Sequence, residues 1–228
     1  ILDISATSYS TIAMSSDGKY ITALGWNNAY PRISSDYGKT WTSVTITYRG
    51  EVHPASVAMS ASGQYQYYGG YWIGVRRSTD YGLTWATTGI DGWGVAVSTS
   101  GQYVLTTSQN TPALSTDYGA TFTTLVRSGY PFIWNKQYRL VGMSSSGQYQ
   151  AVSSGIYGIF ISNDYGITWT LITIGYGGIV WSTLSMSASG KYIFISGSFG
   201  GWNSNLSSDY GKTFNNITSL IGNTTIYS

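Results

Sequence analysis

Acidic side chains are the first candidates for chemistry in this chain, and five of its nine belong to one repeated motif. The motif first appears as SSDYGKTW at 34–41, and its aspartates are Asp36, Asp80, Asp117, Asp164 and Asp209. Paired carboxyl groups can cleave glycosidic bonds, but an active site needs one unique constellation of residues. Because five copies share the same neighbours, we predict structural turns in which the Asp accepts backbone hydrogen bonds and the Gly takes a positive φ.

The remaining carboxylates offer little for catalysis. Asp17 belongs to a separate Gly turn, which leaves Asp3, Glu51 and Asp91. Glu51 and Asp91 fall in successive loops and could face one another as a hydrolytic pair. With one His and no Cys in the chain, no metal-ligating cluster is expected. We therefore expect no enzyme activity, no catalytic residue, no metal site and no cofactor.

Aromatic side chains are the second group of candidates, since they make up 16% of the chain. Aromatic rings beside amide and hydroxyl groups suit sugars, because a pyranose ring offers an apolar face for stacking and a rim of hydroxyls for hydrogen bonds. The predicted ligand-binding residues are Trp26, Asn27, Tyr71, Trp72, Trp93, Trp134, Tyr157, Trp202 and Asn203. Two alternatives stay open, because the same rings could close a hydrophobic core or contact a protein partner.

Charge and hydropathy exclude other classes of ligand. Charged residues make up 9% of the chain and its net charge is +2. That is too little for the basic surface that nucleic-acid binding needs. No apolar run approaches the roughly 18 residues of a membrane-spanning helix. We expect neither nucleic-acid binding nor membrane insertion.

The elements that position these residues are repeated too. A second motif, first written MSSDGKY at 14–20, precedes each copy of the first. Apolar and small residues alternate before it, as in Ile12-Ala13-Met14-Ser15, which predicts a strand. A Gly turn then leads into a second strand, and two more strands flank the eight-residue motif. Four short antiparallel strands in about 43 residues match one β-propeller blade.

The eight-residue motif resembles the Asp-box, S-x-D-x-G-x-T-W, of the sialidase/BNR-type β-propeller repeats. All five copies keep its Ser, Asp, Gly and Thr, and the final aromatic is Trp or Phe. The resemblance implies an all-β fold, a five-bladed β-propeller with four antiparallel strands and one Asp-box per blade. We expect a single domain over 1–228, with blades at approximately 10–50, 51–91, 92–134, 135–178 and 179–218 and short tails.

In that family the box is a structural turn away from the binding face, so the resemblance implies that function lies in the loops that vary between blades. Sialidases use an arginine triad, a Tyr–Glu nucleophile pair and an Asp acid, and the arginines of this chain match no such set. A sialidase-like glycosidase is therefore the function that the residues favour least. The repeated tyrosines, such as Tyr37 in the box and Tyr20 after the Gly turn, are predicted to belong to the core.

We expect a carbohydrate-binding, lectin-like propeller whose partners are glycans or a glycosylated surface. The alternative is a structural or assembly propeller of an extracellular fibre, virion appendage or surface layer, which would bind a protein neighbour. Both functions predict a secreted, cell-surface or virion-surface location. N-glycosylation sequons at Asn205, Asn216 and Asn223 agree with that location.

Overall fold

The structure, a computed structural model, describes residues 9–25, 30–44, 53–71, 73–107, 111–125, 140–154, 158–174, 180–198 and 202–221. Within these residues the chain forms five sheets of four strands each and one short helix. Runs of β-branched, aromatic and small residues between Gly turns favour strands of this short length.

The sheets follow one another along the chain as blades one to five. Blade one contains β1 (Tyr9–Met14), β2 (Ile21–Gly25), β3 (Arg32–Ser34) and β4 (Thr42–Ser43). Blade two contains β5 (His53–Met59), β6 (Gln66–Tyr71), β7 (Arg76–Ser78) and β8 (Ala86–Thr87). Blade three contains β9 (Gly94–Val97), β10 (Val104–Thr107), β11 (Pro112–Ser115) and β12 (Thr123–Thr124). Blade four contains β13 (Val141–Met143), β14 (Gln150–Ser154), β15 (Gly158–Ser162) and β16 (Thr170–Ile172). Blade five contains β17 (Val180–Met186), β18 (Ile193–Ser198), β19 (Trp202–Ser207) and β20 (Asn215–Asn216), and the helix α1 (Thr218–Ile221) follows it.

Strands that are neighbours in the chain are hydrogen-bonded neighbours in every sheet. In blade five, for example, β17, β18, β19 and β20 pair antiparallel in that order. The predicted all-β, five-bladed propeller with four strands per blade is thus confirmed. The helix α1 was not predicted, because its single turn is too short to show a helical period. Among the described residues, no helix has the length and hydrophobicity of a membrane span.

The chain divides into two compact units. The first comprises Ile1–Ser108 and Ala113–Thr123, and it contains blades one and two and most of blade three. The second comprises Gln109–Pro112 and Thr124–Ser228, and it contains blades four and five. The expectation of a single domain over 1–228 stays a prediction.

Each unit has its own buried apolar side chains. In the first unit, Leu24 packs with Tyr68, and Tyr67 packs with Val95 and Val104. In the second unit one cluster joins blade four to blade five and includes Ala151, Ile159, Ile161, Trp181, Ile193 and Ile195. When two sheets pack face to face in this way, the side chains between them are buried, and this burial stabilises the contact between neighbouring blades.

Each Asp-box forms the same hydrogen-bonded turn between the third and fourth strands. In blade one, Ser34 Oγ donates to Asp36 Oδ1 at 2.8 Å and accepts from the Gly38 N–H at 2.8 Å. The Asp36 carboxylate accepts from the Thr40 N–H at 2.9 Å and from the Thr40 hydroxyl at 2.6 Å. The Trp41 indole N–H closes the turn on the Gly38 carbonyl at 3.0 Å. Serine, aspartate and threonine are required here because each is a partner in the same local network.

The tyrosine inside each box was predicted to belong to the core, but the structure places it elsewhere. Tyr81 stacks on Tyr20 of the preceding blade with ring centroids 4.5 Å apart, yet 37% of its surface stays exposed. Tyr118 with Tyr65 and Tyr210 with Tyr149 repeat the contact at 4.8 and 4.6 Å. These tyrosines therefore join consecutive blades at the surface and do not fill a core.

Candidate functional site

The Asp-box and the Gly turn lie at the same end of each blade. The Tyr37 N–H donates to the Lys19 carbonyl at 3.1 Å, and this bond ties the box to the turn between β1 and β2. Equivalent bonds of 3.0 to 3.2 Å occur in the other four blades. The connection between the second and third strands must then lie at the opposite end, since strands run antiparallel. This is the end to which the variable loops were assigned from the sequence.

The structure describes only some of the predicted ligand-binding residues. Trp26, Asn27, Trp72, Trp134 and Tyr157 lie outside the described residues. The other four are Tyr71, Trp93, Trp202 and Asn203.

Three of these four were assigned to loops but lie in strands. Tyr71 is the last residue of β6, and Trp202 is the first residue of β19, where its backbone pairs with Ser198. Asn203 follows in the same strand and pairs with Gly197. The loop of blade five is therefore shorter than the sequence suggested.

Trp93 is a buried residue of the first unit. Only 8% of its surface is exposed, and its backbone N–H donates to the Thr107 carbonyl at 2.5 Å. The neighbouring Gly92 is packed so closely that a methyl group there would lie 2.4 Å from Val75 Cγ2. The ring of Trp93 thus contributes to the core, which corrects its assignment to an exposed loop.

A cross-strand row in blade five brings an indole and an amide to the end opposite the Asp-box. Trp181 of β17 pairs with Gly197 of β18, and Gly197 pairs with Asn203 of β19. Residues paired across antiparallel strands present their side chains to the same face. Gly197 has no side chain, so the row presents one indole and one amide.

Trp181 was not among the predicted site residues. It is 5% exposed, and its indole N–H has no hydrogen-bond acceptor in the part of the chain that the structure describes. A buried donor normally finds a partner, and an indole N–H can only donate. The alternating pattern of VWSTLSM at 180–186 was the signal that could have assigned Trp181 to a strand.

Asn203 is held by two other asparagines. Its Oδ1 accepts from Asn205 Nδ2 at 2.8 Å and from Asn216 Nδ2 at 3.0 Å. Asn216 Oδ1 in turn accepts from the Thr218 N–H at 3.0 Å, so the start of α1 orients this amide. The network fixes the plane of the Asn203 amide on the same sheet face as Trp181.

The described carboxylates outside the Asp-boxes are Asp17 and Asp91. Asp17 accepts from Ser15 Oγ at 2.7 Å and from the Lys19 N–H at 3.0 Å, so it serves the Gly turn. The hydrogen bond from Ser15 lowers the pKa of Asp17 below its usual value. Asp91 is exposed, and Glu51 lies outside the described residues. No group of three or more His, Cys, Asp or Glu residues in the described ranges could hold a metal ion.

Comparison with known families supports the repeat assignment. The BNR/Asp-box repeat model matches residues 160–171, which include the box of blade four. No curated protein matches the sequence significantly.

Solved structures with the same fold include two GH74 proteins. A GH74 enzyme from Niastella koreensis is 21% identical, with a TM-score of 0.71 over 91% of this chain. The GH74 xyloglucanase from Xanthomonas campestris is 13% identical, with a TM-score of 0.67 over 93% of this chain. This chain spans 38% of the length of each.

A third similar structure is that of a nidogen/laminin complex, at 11% identity and a TM-score of 0.64 over 93% of this chain and 80% of that one. The GH74 matches contradict the expectation that the chain is not an enzyme, because enzymes are among the proteins that share its fold. At these identities the likeness shows the fold alone, so no substrate and no catalytic residue is transferred.

Proposed function

Because the chain is a β-propeller built from BNR/Asp-box repeats, we propose that it recognises carbohydrate at the blade ends opposite the Asp-boxes. The observation that carries the proposal is the row of Trp181, Gly197 and Asn203 in blade five. The amide of Asn203 suits a sugar hydroxyl, and the buried ring of Trp181 supports the row from the core. Trp202 precedes Asn203 in β19, and we propose it as the residue that stacks on a pyranose ring.

The fold is consistent with a glycan ligand. GH74 proteins, one of them a xyloglucanase, superimpose on more than nine tenths of this chain. This support is an analogy between folds and leaves the sugar to be identified by binding. Trp26 and Asn27, which repeat the Trp202-Asn203 pair in blade one, extend the proposal to a second blade.

A protein neighbour is the second candidate ligand. It is supported by the likeness to a propeller in a nidogen/laminin complex. For both ligands the proposed location is secreted or displayed at a cell or virion surface, which fractionation of the producing cells would check.

The proposal is tested by glycan-array screening of the intact chain, followed by calorimetry with xyloglucan oligosaccharides and with the best array ligand. Asn203→Ala and Trp202→Ala should weaken binding at least about tenfold, since each would remove a polar or stacking contact to the sugar. Asn215→Ala is the matched control, because Asn215 is an exposed asparagine on β20 outside the row. Analysis of reducing ends in the same mixtures measures whether the bound glycan is also cleaved.

Absence of any glycan binding by the intact chain would contradict the proposal. Equal losses in Asn203→Ala and Asn215→Ala would also contradict it, because the contact would then not lie at the row in blade five.

A further inference from the structure

The amide of Asn203 has only hydrogen-bond donors left for a ligand. Both lone pairs of its Oδ1 are used, because Asn205 Nδ2 donates to this oxygen at 2.8 Å and Asn216 Nδ2 donates to it at 3.0 Å. Its own Nδ2 group donates to no acceptor in the part of the chain that the structure describes. Asn203 is partly exposed, so the two hydrogens on Nδ2 are the polar atoms that it can offer.

A backbone group fixes which end of the Asn203 amide is the oxygen. The Thr218 N–H can only donate, so the Asn216 atom 3.0 Å from it is Oδ1, and the other end of that amide is Nδ2. Asn216 therefore donates to Asn203, and the atom that receives this bond is Oδ1. Turning the Asn203 amide over would set N–H donors against each other and leave them without acceptors. The Thr218 hydroxyl accepts from the Ser204 N–H at 2.9 Å, which holds the start of α1 against β19 and keeps the network in place.

The charged side chains of blade five lie at its opposite end. Residues 165–228 contain three charged side chains, those of Lys191, Asp209 and Lys212. Asp209 and Lys212 belong to the Asp-box, and the Lys191 carbonyl accepts from the Tyr210 N–H of that box at 3.1 Å. All three residues therefore lie at the Asp-box end of the blade.

Distance and screening separate these charges from the row. Asp209 follows Asn203 by six residues, and Lys191 precedes Gly197 by six residues. At about 3.3 Å per residue, the backbone of each charged residue lies roughly 15–20 Å from the row. This distance exceeds the Debye length of about 8 Å at physiological ionic strength. A carboxylate or sulfate group bound at the row would thus lose water without gaining a cationic partner from blade five.

We propose that the row of Trp181, Gly197 and Asn203 binds an uncharged glycan through an oxygen that accepts a hydrogen bond from Asn203 Nδ2. The inference rests on the proposed function, since it states which glycans that site selects. A hydroxyl or ether oxygen of a neutral sugar, or the carbonyl oxygen of an acetamido group, provides the required acceptor. Sialylated and sulfated glycans are disfavoured, because anionic groups are bound most strongly by cationic side chains.

Asn203→Asp tests the direction of the hydrogen bond. The new carboxylate has nearly the same shape and can still accept from Asn205 and Asn216, so the strand network is kept. It has no N–H group, so binding of a neutral glycan should weaken at least about tenfold. Asn215→Asp is the matched control, because it adds the same charge to β20 at an exposed position outside the row. This control should bind like the wild type.

A glycan array that carries neutral, sialylated and sulfated forms of the same core oligosaccharides measures binding by the wild type and both variants. The wild type should bind the neutral forms at least as strongly as the acidic forms. Its signal on the best neutral glycan should change less than about twofold between about 50 and about 500 mM sodium chloride, because no ion pair is screened. Thermal unfolding checks that both variants are folded.

Two results would overturn the inference while leaving carbohydrate recognition intact. One is stronger binding of the acidic forms with a steep loss of signal in salt. The other is equal binding by Asn203→Asp and the wild type, because the glycan would then not accept a hydrogen bond from Asn203. Failure of Asn203→Asp to fold would also contradict it, since a carboxylate should replace the amide oxygen as the acceptor of both donors. Absence of glycan binding by the wild type would instead refute the proposed function, and the inference with it.

Discussion

One aspartate in each box acts through both of its oxygens. In blade three, Asp117 Oδ1 accepts from Ser115 Oγ at 2.7 Å and from the Thr121 N–H at 2.9 Å, and Oδ2 accepts from Thr121 Oγ1 at 2.6 Å. Asp117→Ala would leave these donors to water, and we expect it to lower the free energy of unfolding by about 1–2 kcal/mol. Urea denaturation measures the change, with Asp91→Ala as the control for an exposed aspartate outside a box.

The same variant distinguishes a structural role of the Asp-box from a role in ligand binding. In the folded fraction Asp117→Ala should keep its affinity for any glycan, because the box lies at the end of the blade away from the variable loops. Loss of that affinity at unchanged stability would contradict the structural role of the box.

At the scale of the blade, Gly turns allow consecutive sheets to approach. Gly63 and Gly89 both have positive φ, at 78° and 75°. A methyl group at Gly63 would lie 2.7 Å from Tyr20 Cδ2, whereas none of the described atoms lies within 4 Å of one at Gly89. We expect Gly89→Ala to cost about 1–2 kcal/mol of backbone strain, and Gly63→Ala to cost roughly 1–3 kcal/mol more because of overpacking. Thermal unfolding of the two variants measures the difference, and equal losses would mean that Tyr20 moves aside at no cost.

For the whole molecule, the repeated boxes predict a stability that declines in acid. Hydrogen bonds from the box threonine lower the pKa of Asp36, Asp117 and Asp209 from 3.8 to about 2. A carboxylate whose pKa is lowered by folding stabilises the fold above its unfolded pKa and loses that contribution as it is protonated. The free energy of unfolding should therefore fall as the pH drops from 3.8 to about 2. Urea denaturation at several pH values checks this, and a flat profile through that window would contradict it.

Local interactions explain how much of the fold could be predicted from the sequence. The box bonds between Ser34, Asp36 and Thr40 span four residues or fewer, so the motif itself specifies the turn. Alternation and Gly spacing then predict the strands on either side. The positive φ of 64° at Tyr37, repeated at the other four box tyrosines, was not predicted, because this conformation is expected of Gly and not of a bulky residue.

The sequence alone determined the all-β class, the number of blades and which end of each blade carries the structural Asp-box turn. Each of these depends on residues close together in the chain. Tertiary structure decided which aromatics are available to a ligand. Trp93 and Trp181 look like loop residues in the sequence but are 8% and 5% exposed. Asn203 is positioned by Asn216, 13 residues away. Burial and cross-strand pairing depend on segments brought together by folding, and no local pattern encodes them.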